Sequence, residues 1–241
     1  MTNPEREHVL LTVLGLDPKN ARYVLGGKEQ QARLAPEALY ALLPEVERPH
    51  RVLALCTPEA EERTLPVLQR GLESVCPVSA VKVPSGETDE AASTYLNRLA
   101  ECVPADADLT VDVTHGLRHM SFLTYVGVLY LTALRRVRLR GAYYGLLKPP
   151  PDRSVFFDLR PLVELPQWFH ALRVLNDTGS AQAIAELVAA SGGPGSCQVA
   201  RGLRALSEAY SWGLPIELGH LAGEFLTAQT EPLRRVLRAQ R

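Results

Sequence analysis

A chain of 241 residues, 46% hydrophobic and 22% charged, suits one large α/β domain or a medium domain with a small appendage, with enough apolar side chains to bury a core. Its formal net charge of −1 gives no electrostatic drive toward a polynucleotide, so direct DNA binding is not expected, although 22 arginines against 4 lysines leave many bidentate phosphate donors. The scattered cysteines (Cys56, Cys76, Cys102, Cys197) form no CxxC pair, no run approaches about 18 apolar residues, and the charged start MTNPEREHVLL is unlike a signal peptide. These features predict a cytoplasmic protein with reduced thiols, no disulfide framework and no membrane contact.

Val9 to Leu14 (VLLTVL) reads as a fully buried first strand ending at Gly15. The loop GLDPKN follows with Asp17, Lys19 and Asn20, polar groups at the carboxyl end of a strand, where open α/β sheets bind ligands. Neither GxGxxG nor a Walker motif is present: Gly27-Lys28 lacks a glycine at position 22 and is followed by Glu29. Ala35 to Leu43 is a predicted helix with Pro36 near its start, and Arg51 to Cys56 a second strand. Thr57-Pro58 opens a helix to about Gly71, with threonine at the N-cap and again at a strand's carboxyl end. Val78 to Val83 is a third strand closed by Pro84-Ser85-Gly86, and Glu87 to Cys102 a helix.

The stretch Leu109 to Phe122 (LTVDVTHGLRHMSF) carries the chemistry. An apolar strand end passes abruptly into Thr114, His115, Gly116, Arg118 and His119, and then into an apolar helix pattern running to about Leu134. A strand, a polar turn and a helix N-terminus make an anion site, with phosphate the expected anion. Two other readings stand beside it. Asp112 can be a satisfied structural acid with Thr114 capping the helix, and His115 and His119, four apart, can share a metal; Gly116 and the lack of a further ligand at a usual spacing argue against the metal.

Val137 to Tyr143 is a fifth strand with a cationic start, and Tyr144 to Lys148 leaves it. PPPDRS then interrupts regular structure before Val155 to Leu159, an added edge strand or hairpin partner. Strands alternating with helices predict a doubly wound, mainly parallel sheet over residues 1–160. From Pro161 the pattern turns helical, with further helices near 180–190, 198–212 and 215–239, so residues 161–241 are expected to form a small all-helical unit whose final arginines (Arg234, Arg235, Arg238, Arg241) are a solvated face. No internal repeat is present.

LGLDPKNARY, LCTPEA, VPSGETDE, DVTHGLRHM, YYGLLK and WFHALRVLNDTGS resemble the motifs of CRISPR-associated Rossmann-fold (CARF) proteins, of the branch containing the accessory ribonucleases of type III CRISPR systems. The match spans about Val9 to Leu187, and DVTHGLRH is its specific part. The resemblance implies a Rossmann-like fold and, as ligand, a cyclic oligoadenylate (tetra- or hexa-adenylate) lying across a homodimer. Loop chemistry and resemblance together give the candidate ligand-binding residues Gly15, Leu16, Asp17, Asn20, Thr57, Thr114, His115, Gly116, Leu117, Arg118, His119, Tyr144, Gly145 and Lys148. Backbone N–H groups at Gly116-Leu117 and the Arg118 guanidinium are assigned to phosphate, and Thr114 and Asn20 to ribose or base.

The resemblance stops short of the HEPN ribonuclease of that branch, which carries an arginine, four to six residues, then histidine. His170 and His220 have no arginine at that spacing, so ribonuclease action on single-stranded RNA is not inferred. Three functions remain open: a metal-independent ring nuclease, a non-catalytic sensor module (alone or within a longer effector), and an unrelated α/β protein binding another phosphorylated small molecule. No cofactor or metal is expected. For the nuclease, Arg118, Lys148 and loop N–H groups would stabilise phosphoryl charge and His115 or His119 would move protons, with no single catalytic residue assigned.

Overall fold

The computed structural model describes residues 6–148 and 153–239, with side chains described to residue 227. Of PPPDRS, residues 149–152 lie outside the described residues, as do the side chains of Arg234, Arg235 and Arg238 and the whole of Arg241. The elements run β1 (His8–Val13), β2 (Ala21–Leu25), β3 (Lys28–Ala32), α1 (Ala35–Leu42), β4 (Arg51–Cys56), α2 (Pro58–Arg63), α3 (Leu65–Leu72), β5 (Val78–Lys82) and α4 (Asp89–Cys102). They continue with β6 (Asp108–Asp112), α5 (Arg118–Leu134), β7 (Arg138–Lys148), β8 (Arg153–Asp158), α6 (Arg160–Thr178), α7 (Gln182–Ala190), α8 (Ser196–Ser211) and α9 (Pro215–Ala239).

Among the described residues the strands form one eight-stranded sheet in the order β3-β2-β8-β7-β6-β1-β4-β5. β7, β6, β1, β4 and β5 are mutually parallel, which makes the centre a doubly wound α/β sheet. β1 shows why its sequence is a continuous apolar run. Leu10 faces one core with Leu39 and Leu68, while Val9, Leu11 and Val13 face another with Tyr95, Leu99 and Met120. A strand covered on both faces has no polar side to show. The winding reverses between β1 and β6, so a crevice opens at their carboxyl ends, between the loop after Val13 and the turn after Asp112.

The structure adds one element that the sequence left unassigned and corrects three expectations. Residues 21–32 form a β-hairpin, β2–β3, across Gly26-Gly27, whose φ angles of +56° and +82° suit a two-residue turn. Tyr144 to Lys148 does not leave the fifth strand: it is the second half of β7, paired antiparallel with β8. Of the two alternatives for β8, the hairpin partner of β7 holds and the edge does not, because β2 pairs with its other side and β3 takes the edge. The helix expected from Thr57 to about Gly71 is broken into α2 and α3 at Thr64, whose hydroxyl donates to the Gly15 carbonyl at 2.7 Å, and Pro66 follows in the first turn of α3.

The chain divides into two compact units, Met1–Val163 and Glu164–Arg241. The second is helical and centres on Ala185, Val188, Val199 and Ala200, with Trp168 and Phe225 packed against them.

Candidate functional site: the turn after β6

The turn is built on a buried carboxylate. Asp112, fully buried at the end of β6, accepts from the Thr12 hydroxyl at 2.8 Å, the Thr114 N–H at 3.1 Å and the Thr114 hydroxyl at 2.5 Å. Burial pushes its pKa up, opposed by His115 and by these hydrogen bonds. The Thr114 oxygen in turn accepts the Gly145 N–H at 2.8 Å, which ties the turn to β7. Glycine is needed there: a Cβ on residue 145 would stand 2.9 Å from Thr114 Cγ2 and 2.8 Å from Ser154 Oγ. The Thr114 hydroxyl therefore spends one donor and one acceptor on the fold, and Asp112 is the satisfied structural acid. Thr114 does not cap α5.

His115 is likewise engaged. Its Nε2 accepts the Ala35 N–H at 3.1 Å, at the start of α1, where no side chain of α1's own flank caps the helix. That bond places the imidazole proton on Nδ1. Burial lowers the His115 pKa and Asp112 opposes the shift, so the ring is held neutral. His119 Nε2 donates to the Ser85 carbonyl in the loop after β5. The two imidazoles therefore join different neighbouring segments and do not converge on one point, and no group of three or more His, Cys, Asp or Glu side chains suited to a metal gathers among the described residues.

Between them the backbone is open. Gly116 has φ +92°, a left-handed conformation that favours glycine, and a Cβ there would meet Val13 Cγ1 at 2.5 Å. Leu117, extended at φ −73° and ψ 146°, is the N-cap of α5 without a side-chain cap bond, and the first turn holds no acid. The first N–H groups of a 17-residue helix thus face outward without a side-chain acceptor. Arg118 is exposed at the first helical position and makes no hydrogen bond or ion pair with the described residues. The loop after β1 lies against this turn: a Cβ on Gly15 would be 3.1 Å from the Gly116 nitrogen and 3.5 Å from His115 Cβ.

The structure therefore brings Gly15, Thr114, His115, Gly116, Leu117, Arg118 and Gly145 together. Leu16 is 47% exposed beside them, and Asp17 pairs with Lys19 at 2.7 Å in solvent. Asn20 is exposed and has no hydrogen bond among the described residues. Thr57 caps α2, accepting the Ala60 N–H at 3.4 Å, which occupies its oxygen. Tyr144 is exposed on β7, and Lys148 holds its ammonium 5.5 Å from the Phe157 ring centre without a bond to the turn. Sequence reading missed Thr12, Thr64 and Ser85 as supports of the site; Pro84-Ser85-Gly86 at the end of β5 was the available signal.

Beyond the turn, α5 presents Phe122, Val126, Tyr130 and Leu134, spaced four apart and 66%, 37%, 44% and 70% exposed, as an apolar stripe in solvent.

No protein-family model matches the chain. The CRISPR-associated protein MJ1674 of Methanocaldococcus jannaschii is 23% identical over 117 residues, 48% of this chain and 18% of its own length. Among solved structures, Enterococcus italicus Csm6 bound to cyclic hexa-2′-fluoro-hexa-dAMP matches with a TM-score of 0.50 at 14% identity, over 86% of this chain and 55% of its own. The chain thus spans about half of that structure and under a fifth of the curated relative. The two matches bear out the resemblance carried by DVTHGLRHM.

Proposed function

We propose that this chain, a CARF-type protein by fold and distant sequence similarity, binds a cyclic oligoadenylate at the β1 and β6 loops as a two-fold dimer and cuts it without a metal ion. The observation that carries the binding is the uncapped start of α5, where Gly116, Leu117 and Arg118 offer backbone N–H groups and a free guanidinium beside the Gly15 loop. The ligand identity rests on likeness to a Csm6 that holds such a ring.

Two loops per chain are too few to enclose a ring, whereas a symmetric pair offers each half of it the same donors. The α5 stripe supports that pair: it begins one turn after Arg118 and is an exposed apolar face that a second copy would cover. Cutting would proceed by in-line attack of a ribose 2′-hydroxyl on the adjacent phosphorus, expelling the 5′-oxygen and leaving a cyclic 2′,3′-phosphate. The chain's part is to align that attack and stabilise phosphoryl charge with Arg118 and the α5 N–H groups. With His115 accepting from Ala35 and His119 donating to Ser85, neither imidazole is poised as the proton carrier. That engagement favours a second reading, a sensor module that binds the ring and leaves it intact.

Incubation with cyclic tetra- and hexa-adenylate, with and without EDTA, separates the readings. The nuclease cuts in EDTA, spares a ring methylated at its 2′ positions and still binds it. Intact rings after prolonged single-turnover incubation with excess protein leave the sensor alone standing. Failure to bind either ring rejects the whole proposal.

A further inference from the structure

A polar cavity of about 280 Å³ is lined by Glu47, Thr110, Arg138, Arg140, Tyr143 and Arg160 among others, none of them a residue of the turn after β6. Its centre is a register break. Leu109 pairs with Leu139 and Thr110 with Gly141, so Arg140 is an extra residue in β7 with no partner on β6. Such a bulge bends its strand and re-aims side chains. Here Arg138 and Arg140, two apart, both approach Asp108: Arg138 binds it through two hydrogen bonds of 2.9 Å and 2.6 Å, while Arg140 stays 3.8 Å away. The carbonyl of Arg140 is taken by Arg160 Nη1 at 3.2 Å, and Arg160 Nη2 is fixed by Asp158 at 3.0 Å.

The donor inventory is then unequal. Arg138 and Arg160 are oriented by acids yet keep unused N–H groups, and the N–H groups of Arg140 make no hydrogen bond among the described residues. Tyr143 adds a phenol with no hydrogen bond among them, and burial, Asp158 and Glu47 raise its pKa, so it remains a donor. Asp108 and Asp158, each bound to an arginine, and Glu47 at the exposed rim oppose an anion, against the three guanidiniums. We propose that this cavity is a binding site for a phosphate group, free or as a nucleoside monophosphate, held by Arg140 with Arg138, Arg160 and Tyr143. A planar guanidinium held in place by the fold suits the bidentate geometry of phosphate.

Calorimetric titration with inorganic phosphate and with adenosine 5′-monophosphate, in low-salt buffer, tests the site. Arg140→Ala should weaken binding about tenfold or more, as loss of a charge-assisted contact does, and Glu47→Gln should tighten it about threefold by removing the like charge. Arg118→Ala should retain the binding step that Arg140→Ala loses, which separates this cavity from the ring site. Binding of both probes assigns the phosphate group alone; binding of the nucleotide only assigns a monoester, and of phosphate only the free ion. Far-ultraviolet circular dichroism checks that Arg140→Ala is folded, and if it is not, Glu47→Gln decides. No binding by wild type, equal or weaker binding by Glu47→Gln, undiminished binding by a folded Arg140→Ala, or loss of binding in Arg118→Ala overturns the proposal.

Discussion

Replacing Thr114 by valine removes one hydroxyl while keeping the methyl that packs on Gly145. The hydroxyl donates to buried Asp112 at 2.5 Å and accepts the Gly145 N–H at 2.8 Å, so the valine variant loses both bonds. An unsatisfied buried N–H costs about 1–3 kcal/mol and a hydrogen bond to a charged group contributes about 1.5–3, so the expected loss is about 3–5 kcal/mol. That is a large share of the roughly 5–15 kcal/mol of a folded domain. Thr114→Ser keeps the hydroxyl and should lose only about 1 kcal/mol, the burial of one methyl group. Urea unfolding followed by circular dichroism measures both. The pH dependence has a definite sign. Burial raises the Asp112 pKa in the fold, and removing a donor raises it further, so the valine deficit should shrink as pH falls and the carboxyl protonates. A valine variant within 1 kcal/mol of wild type, or a deficit that grows in acid, would refute the assignment of the Thr114 hydroxyl to the fold.

His8 gives a second pH test: its pKa is lowered from 6.5 to about 4, chiefly by burial, so the neutral ring's stability is complete above the unfolded value and is lost as pH falls from 6.5 toward 4. About 1.4 kcal/mol per unit makes the loss about 3–4 kcal/mol, and His8→Gln should show a shallower decline over that window in thermal or urea unfolding. Arg118→Ala should weaken cyclic oligoadenylate binding about ten- to a hundredfold, whereas Arg98→Ala, whose ion-pair partner is its helix neighbour Glu101, should not; equal affinities would remove Arg118 from the site. Phe122→Glu, placing a charge in the α5 stripe, should raise the dissociation constant of the proposed dimer about a hundredfold in sedimentation experiments, and an unchanged association state would remove the stripe from any interface.

The parallel centre was legible from sequence because strands buried on both faces must be apolar throughout: VLLTVL, RVLALC and LTVDV report burial directly. The polar turn at the switch point was legible for the converse reason, as an abrupt break in that apolarity ahead of a helix. β3 was not, since all of Lys28 to Gln31 is exposed and an edge strand held by backbone hydrogen bonds leaves no apolar alternation; Gly26-Gly27 was its only local mark. The tertiary structure alone decided which polar groups of the turn remain for a ligand. Thr114 is engaged by Gly145, 31 residues on, His115 by Ala35, 80 residues back, and His119 by Ser85, 34 residues back. Residue type sets how many donors and acceptors a side chain has, but whether they are already used depends on backbone groups that only folding brings within 3.5 Å.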